Sequence, residues 1–214
     1  MFGFDSSATI AYSVRAGLTD RISVGLLRSN LNKTISLSST VQAARQGGHS
    51  PLTLQFKVGL DGNRNFNLYR RRNNPDVPRQ YSEFIQIVGV RTINDRVSFL
   101  LAPTFAFNTR DERAASFASV VYGSTHNNTV SLGIGTGIRV LPTVSVVGEF
   151  IPRLAGYRGE EKDYAGLSVG LQKSTFRHTF ELVVSRQQVM TPAAVAFQGV
   201  DTFRVGFNIY RKLR

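Results

Sequence analysis

The sequence predicts an all-β chain, an antiparallel up-and-down transmembrane β-barrel, and three observations carry that expectation. Apolar residues alternate with small or polar ones in roughly eleven segments, which is the period of a strand. The segments are joined by connections that are short and long in strict turn, as in barrels with short periplasmic turns and long extracellular loops. No stretch of about eighteen apolar residues occurs, so the chain has no candidate transmembrane helix.

Residues 129–140 define the two faces most clearly. Val130, Leu132, Ile134, Ile138 and Val140 share one parity, while Ser131, Gly133, Gly135, Gly137 and Arg139 share the other. A soluble sandwich turns its large residues inward and its charges outward. Here the polar side is nearly bare, which suits a lumen, and the apolar side suits lipid. A soluble barrel that holds a ligand, in the manner of lipocalins, needs the reverse arrangement.

Taken in order, strands are expected at 7–18, 21–29, 34–45, 51–60, 81–92, 96–107, 129–140, 143–151, 164–173, 175–186 and 201–211. Each is close to the length a tilted strand needs to cross a bilayer. The first carries Ile10, Tyr12, Val14 and Leu18 toward lipid; the fourth carries Leu52, Leu54, Phe56, Val58 and Leu60; the sixth carries Val97, Phe99, Leu101, Phe105 and Phe107. The last three carry Leu167, Val169 and Leu171, then Phe176, Phe180, Leu182 and Val184, then Phe203, Val205, Phe207 and Ile209. In 81–92 the parity is open, because Phe84, Ile85, Ile87 and Val88 compete for both faces.

Short turns fall at Thr19-Asp20-Arg21, Gln46-Gly47-Gly48, Asn94-Asp95, Leu141-Pro142-Thr143 and Lys173-Ser174, and longer links near 29–33, 61–80, 108–127, 152–163 and 187–200. Three turns lead into a recurring phrase, Asp20-Arg21-Ile22-Ser23-Val24, Asp95-Arg96-Val97-Ser98-Phe99 and Thr143-Val144-Ser145-Val146, a hairpin-type repeat. Eleven is an odd count, whereas bacterial single-chain barrels have even numbers of strands. Met1-Phe2-Gly3-Phe4 leads almost directly into a strand, with no signal-peptide pattern before it. The expectation is therefore a single barrel domain over 1–214 that lacks its leader and first strand, and twelve strands when that strand is present.

Composition narrows the function classes. The chain has no cysteine, which excludes a disulfide framework and a thiolate metal site. Its net charge of +12 could suit nucleic acid, but the basic residues are scattered and only Arg70, Arg71 and Arg72 form a run, so no nucleic-acid partner is expected.

Particular phrases then resemble a known family. Gly3-Phe4-Asp5-Ser6 precedes the first strand, and Gly17-Leu18-Thr19-Asp20-Arg21-Ile22-Ser23-Val24-Gly25 crosses the first turn. Arg28-Ser29, Lys33-Thr34, Arg139, Glu149-Phe150 and Leu167-Ser168-Val169-Gly170 follow. His178-Thr179-Phe180-Glu181-Leu182, Met190-Thr191 and Val205-Gly206-Phe207-Asn208-Ile209 complete the set. In this order they resemble the outer-membrane β-barrels grouped as domain-of-unknown-function 5777, over most of the chain. Pro142 and the Val183-Val184-Ser185 stretch depart from that pattern. The resemblance implies a fold, a bacterial outer-membrane location in a Gram-negative envelope, and a further strand upstream. It implies no reaction.

Candidate chemistry is sparse. Gly133, Gly135 and Gly137 are spaced along a strand and not at a strand-to-helix turn, so they read as a bare lumen wall and not a dinucleotide loop. Glu160, Glu161 and Asp163 lack the spacing of a dedicated cation site and read as a solvated loop tip. The three histidines, His49, His126 and His178, have no acid partner at strand-neighbour spacing, so neither a catalytic residue nor a cofactor or metal is expected.

The polar parity supplies the better candidates. Arg15, Gln55, Lys57, Arg139, Glu149, Glu181, Arg204 and Asn208 are expected to line the lumen. If the lumen is open, its positive excess favours small anions, giving a narrow porin-like passive pore. If Glu149 pairs with Arg139 and Glu181 with Arg204, the network plugs it, and the barrel acts through its extracellular loops. Arg70, Arg71 and Arg72 are then candidates for contact with lipopolysaccharide phosphate or an acidic partner. Membrane lipid and the barrel-assembly machinery are the other expected partners, and the oligomeric state is left open.

Overall fold

The computed structural model describes residues 8–47, 49–62, 81–107, 128–156, 164–187, 190–197 and 201–213. Its strands are β1 (Ala11–Gly17), β2 (Ile22–Ser29), β3 (Ile35–Ala44), β4 (Thr53–Gly62), β5 (Tyr81–Ile93) and β6 (Val97–Ala106). They continue with β7 (Thr129–Leu141), β8 (Val144–Ile151), β9 (Arg153–Gly156), β10 (Gly166–Ser174), β11 (His178–Ser185) and β12 (Arg204–Arg211). One short helix, α1 (Pro192–Phe197), lies between β11 and β12. All twelve strands belong to one antiparallel sheet, in which eleven follow chain order as a meander and β9 pairs β7 off that path.

The eleven long strands fall within a few residues of where the alternation places them, but the turn expected at Lys173-Ser174 lies at 175–177, because Ser174 still pairs with Thr179 and the Thr175 N–H donates to the His178 carbonyl, which moves Phe176 from the strand to the turn. Strand β9 was not expected: 152–163 reads as a link. It forms because β7 is long and offers Thr129, Val130 and Ser131 beyond the reach of β8. Pro152 breaks the run of β8, yet its carbonyl still accepts the Leu132 N–H at 3.1 Å, so the ladder resumes on the far side. It ends at Gly156, whose φ of +112° suits glycine, and where a Cβ would fall on the Asn128 carbonyl.

Register carries one face unbroken around the sheet. Gly25 stands opposite Ser38, Ser38 opposite Gly59, Gly59 opposite Phe84, Phe84 opposite Ala106 and Ala106 opposite Thr129. The adjacent row on the other face runs Val24, Ser39, Val58, Ile85, Phe105 and Val130. Burial is inverted relative to a soluble fold. Phe84, Ala106, Thr129 and Ser131 are each 1% exposed on the inner face, whereas Leu101 is 53% and Phe207 61% exposed on the outer one. An apolar outer surface of this extent calls for lipid.

The open parity of β5 is resolved by its neighbours. Phe84 and Val88 point inward and Ile85 and Ile87 outward, because Phe84 faces Gly59 and only that glycine leaves room for the ring. At the turn after β5, Asn94 and Asp95 have φ of 51° and 53°. Two consecutive left-handed residues make the tight turn that matches strand twist, and Asn and Asp tolerate it best after glycine.

Among the described residues the sheet is not closed: β1 pairs only with β2 and β12 only with β11. With eleven strands alternating in direction, β1 and β12 run the same way. Antiparallel closure therefore requires one more strand running opposite to both, and bare edges in hydrocarbon cost several kcal/mol per unpaired backbone group.

Candidate functional site

The inner face divides into a filled region near the long connections and a hollow nearer the short turns. The filled region is built on α1. Thr191 precedes Pro192, and Ala193, Ala194, Val195 and Ala196 follow. A Thr cap, a proline at the first helical position and an alanine run are strong helix signals. The Val195 N–H donates to the Thr191 carbonyl at 2.9 Å, closing the turn.

Although α1 hangs between β11 and β12, it packs across the interior on β4, β5, β6 and β7. Ala193 and Ala196 form one buried cluster with Phe84 and Ala106, and Ala193 has no exposed surface at all. Small residues on both sides let helix and wall approach closely. Asp61, at the end of β4, anchors the contact: its Oδ2 accepts the Ala193 N–H at 3.1 Å. Asp61 is buried, and Ser36 stands opposite it on β3. The hydroxyls of Ser36 and Thr191 also turn toward the Asp61 carboxylate. Lys57, two residues before Gly59, sets its ammonium 5.7 Å from the centre of the Phe84 ring.

The hollow is a cavity of about 490 Å³ whose lining includes Ser98, Gly135, Gly137, Glu149, Glu181 and Tyr210. The glycines of β7 open it, since a Cβ on Gly137 would meet the Ser98 Oγ at 2.8 Å. The Glu181 Oε2 accepts from Asn208 Nδ2 and from the Tyr210 hydroxyl, each at 3.1 Å. Glu149 lies near enough for the two carboxylates to repel.

The residues singled out from sequence are distributed around this interior. Arg15 stands opposite Gly25, Gln55 opposite Gln42 and Val88, and Lys57 opposite Thr40 and Gln86, with Arg15 close enough for its charge to act on Lys57. Arg139 stands opposite Ser145, Glu149 opposite Gly135 and Ser168, and Arg204 opposite Ser185. Glu181 stands opposite Gln172 and Asn208. The expected pairs Glu149 with Arg139 and Glu181 with Arg204 do not meet, because register sets neutral residues across from each charge. Arg70, Arg71 and Arg72, and likewise Glu160, Glu161, Asp163 and His126, lie outside the described residues. Of the other histidines, His49 is exposed in a short turn, and His178 is on the outer parity, stacked on Phe180 at 6.0 Å.

Sequence reasoning passed over Asp61 and α1, and left the face of Phe84 open. The Thr191-Pro192-Ala193-Ala194 signal was available for the helix. Nothing local indicates that Asp61 and Ala193, 132 residues apart, come together.

A curled antiparallel meander of membrane-length strands, greasy outside and small or polar inside, defines a membrane β-barrel domain. The family described as a membrane bound beta barrel domain, DUF5777, matches residues 1–213, and this chain belongs to it. No curated protein matches the chain.

Proposed function

We propose that the chain is a bacterial outer-membrane barrel whose interior is plugged on the long-loop side by the segment bearing α1, and that it acts through its loops and not as an open pore. The observation that supports this reading is the complete burial of Ala193 against the far wall, with its N–H on Asp61. In this reading the short turns face the periplasm, and the basic 70–72 run contacts lipopolysaccharide phosphate. Assembly machinery inserts the barrel, and no catalytic or cofactor chemistry is involved.

Anion selectivity is not part of the proposal. The described inner face sets Asp61, Glu149 and Glu181 against Arg15, Lys57, Arg139, Arg153 and Arg204, so a positive excess remains, but a plugged interior gives it no current to select.

Planar-bilayer conductance tests the plug. Protein shown to be folded and inserted should be electrically silent. The double substitution Ala193→Glu and Ala196→Glu, which drives carboxylates against Asp61 and the Phe84 ring, should release α1 and produce discrete openings. Steady openings from the unsubstituted protein would remove the proposal, as would silence in a folded double variant whose 190–197 segment has become protease-accessible.

A further inference from the structure

We infer that the corner formed by the β10–β11 turn and the end of β12 is a binding site for the phosphate of anionic phospholipid headgroups in the leaflet on the short-turn side. Four basic residues fall at this corner. Lys173 is on the outer parity of β10, opposite Phe180, and Arg211 is on the outer parity of β12, opposite His178. Arg177 lies in the turn itself, and Lys212 follows Arg211. The Lys212 N–H donates to the Arg177 carbonyl at 2.8 Å, which ties the end of β12 to the turn and holds the two charge-bearing segments side by side.

Position argues for a lipid and not a soluble partner. Immediately above the basic residues, the outer face turns apolar along Leu171, Phe180 and Ile209, and Phe180 stacks on Phe207 at 6.4 Å. The charges therefore sit where the hydrocarbon band ends, at the level of headgroup phosphates. Phe176, at the turn tip, is 92% exposed, and the Arg177 guanidinium lies 5.5 Å from its ring centre. An aromatic ring bared beside a cation is costly in water and favourable at a membrane interface, where the ring enters the acyl boundary and the guanidinium stays with phosphate.

Charge complementarity decides the headgroup. Among the described residues none of the four cations is ion-paired, and the acidic residues at this end, Asp20 and Asp95, lie in the β1–β2 and β5–β6 turns and not on β10, β11 or β12. Glu181 is the nearest carboxylate in the ladder, and it points inward to Asn208 and Tyr210. An anionic lipid supplies what this face lacks, and a zwitterionic one supplies a cation as well.

The test reconstitutes the protein in vesicles and measures, by spin-labelled lipid, the preference for phosphatidylglycerol over phosphatidylcholine. The expected preference for phosphatidylglycerol is about fivefold, the effect of one well-placed basic residue at an anionic surface. The combined substitution Lys173→Gln, Arg177→Gln, Arg211→Gln and Lys212→Gln should bring it near unity. Because strand ends bear on folding, the milder pair Arg177→Gln and Lys212→Gln, confined to the turn and the residue after β12, should lower it in protein with unaltered heat-modifiable migration. Phe176→Ser should lower it without a change of charge. Equal association of both lipids with the unsubstituted protein would overturn the inference, as would full preference in the folded pair variant. Displacement of the lipid by inorganic phosphate at matched ionic strength would overturn the lipid assignment in favour of a free-anion site.

Discussion

Replacing Ile134 with arginine is expected to destabilise the inserted barrel by roughly 2 to 4 kcal/mol, the largest effect foreseen for a single outer-face position. Ile134 lies midway along β7, opposite Leu101 on β6 and Phe150 on β8, all on the outer parity. A guanidinium there is as far from either interface as this strand allows, so snorkelling gives little relief. The check is a urea titration of folded and unfolded bands, resolved by heat-modifiable migration, in protein inserted into bilayers. Gln172→Arg serves as the control, because Gln172 stands opposite Glu181 on the inner face and the new charge gains a partner. Equal stability of Ile134→Arg and the parent would reverse the assignment of inside and outside on which the plug and the lipid corner both depend.

The second large effect is expected at Gly59. A Cβ built there meets the Leu37 carbonyl oxygen and the Phe84 Cζ, each at 2.5 Å. Gly59→Val therefore overpacks the wall, at a cost of about 3 kcal/mol, the upper end for inserted methyl groups in a packed interior. One obstacle is a ring that can be shortened, and the other is backbone that cannot. Adding Phe84→Ala should thus recover part of the stability and no more. It should also loosen α1, since Phe84 is the wall residue against which Ala193 and Ala196 are buried. Protease sensitivity of 190–197, measured beside urea stability in the single and double variants, separates the two consequences. Additive losses would mean that Gly59 and Phe84 do not share space.

Much of the fold was legible because side-chain direction in a strand is a local property. Val130 and Ser131 point opposite ways whatever lies beside them, so alternation alone yields the strands, their two faces and, with the order of short and long connections, the meander. Asn94-Asp95 announces its own turn for the same reason. Where the pattern was ambiguous, as at Phe84, Ile85, Ile87 and Val88, the deciding residue was Gly59 on another strand. The interior was legible only in part. Arg15, Lys57, Glu149 and Glu181 follow from parity, but their partners do not, because pairing depends on register. The Glu149–Arg139 and Glu181–Arg204 pairs were expected from strand proximity, and the actual ladder sets Ser145, Ser168, Asn208 and Ser185 opposite them.

By itself, then, the sequence determined that this chain is a membrane β-barrel domain and, apart from β5 and the β10–β11 turn, which face of each long strand is apolar and where the strands turn. Each of these is written within about ten neighbouring residues, the length over which a strand keeps its two faces. Only the tertiary structure decided that the inner wall near the long connections is occupied. That outcome rests on Asp61 of β4 reaching Ala193 of α1, on small residues at both surfaces, and on a glycine that admits Phe84. Contacts between positions so far apart are set by how the whole sheet curls, and no local pattern encodes them.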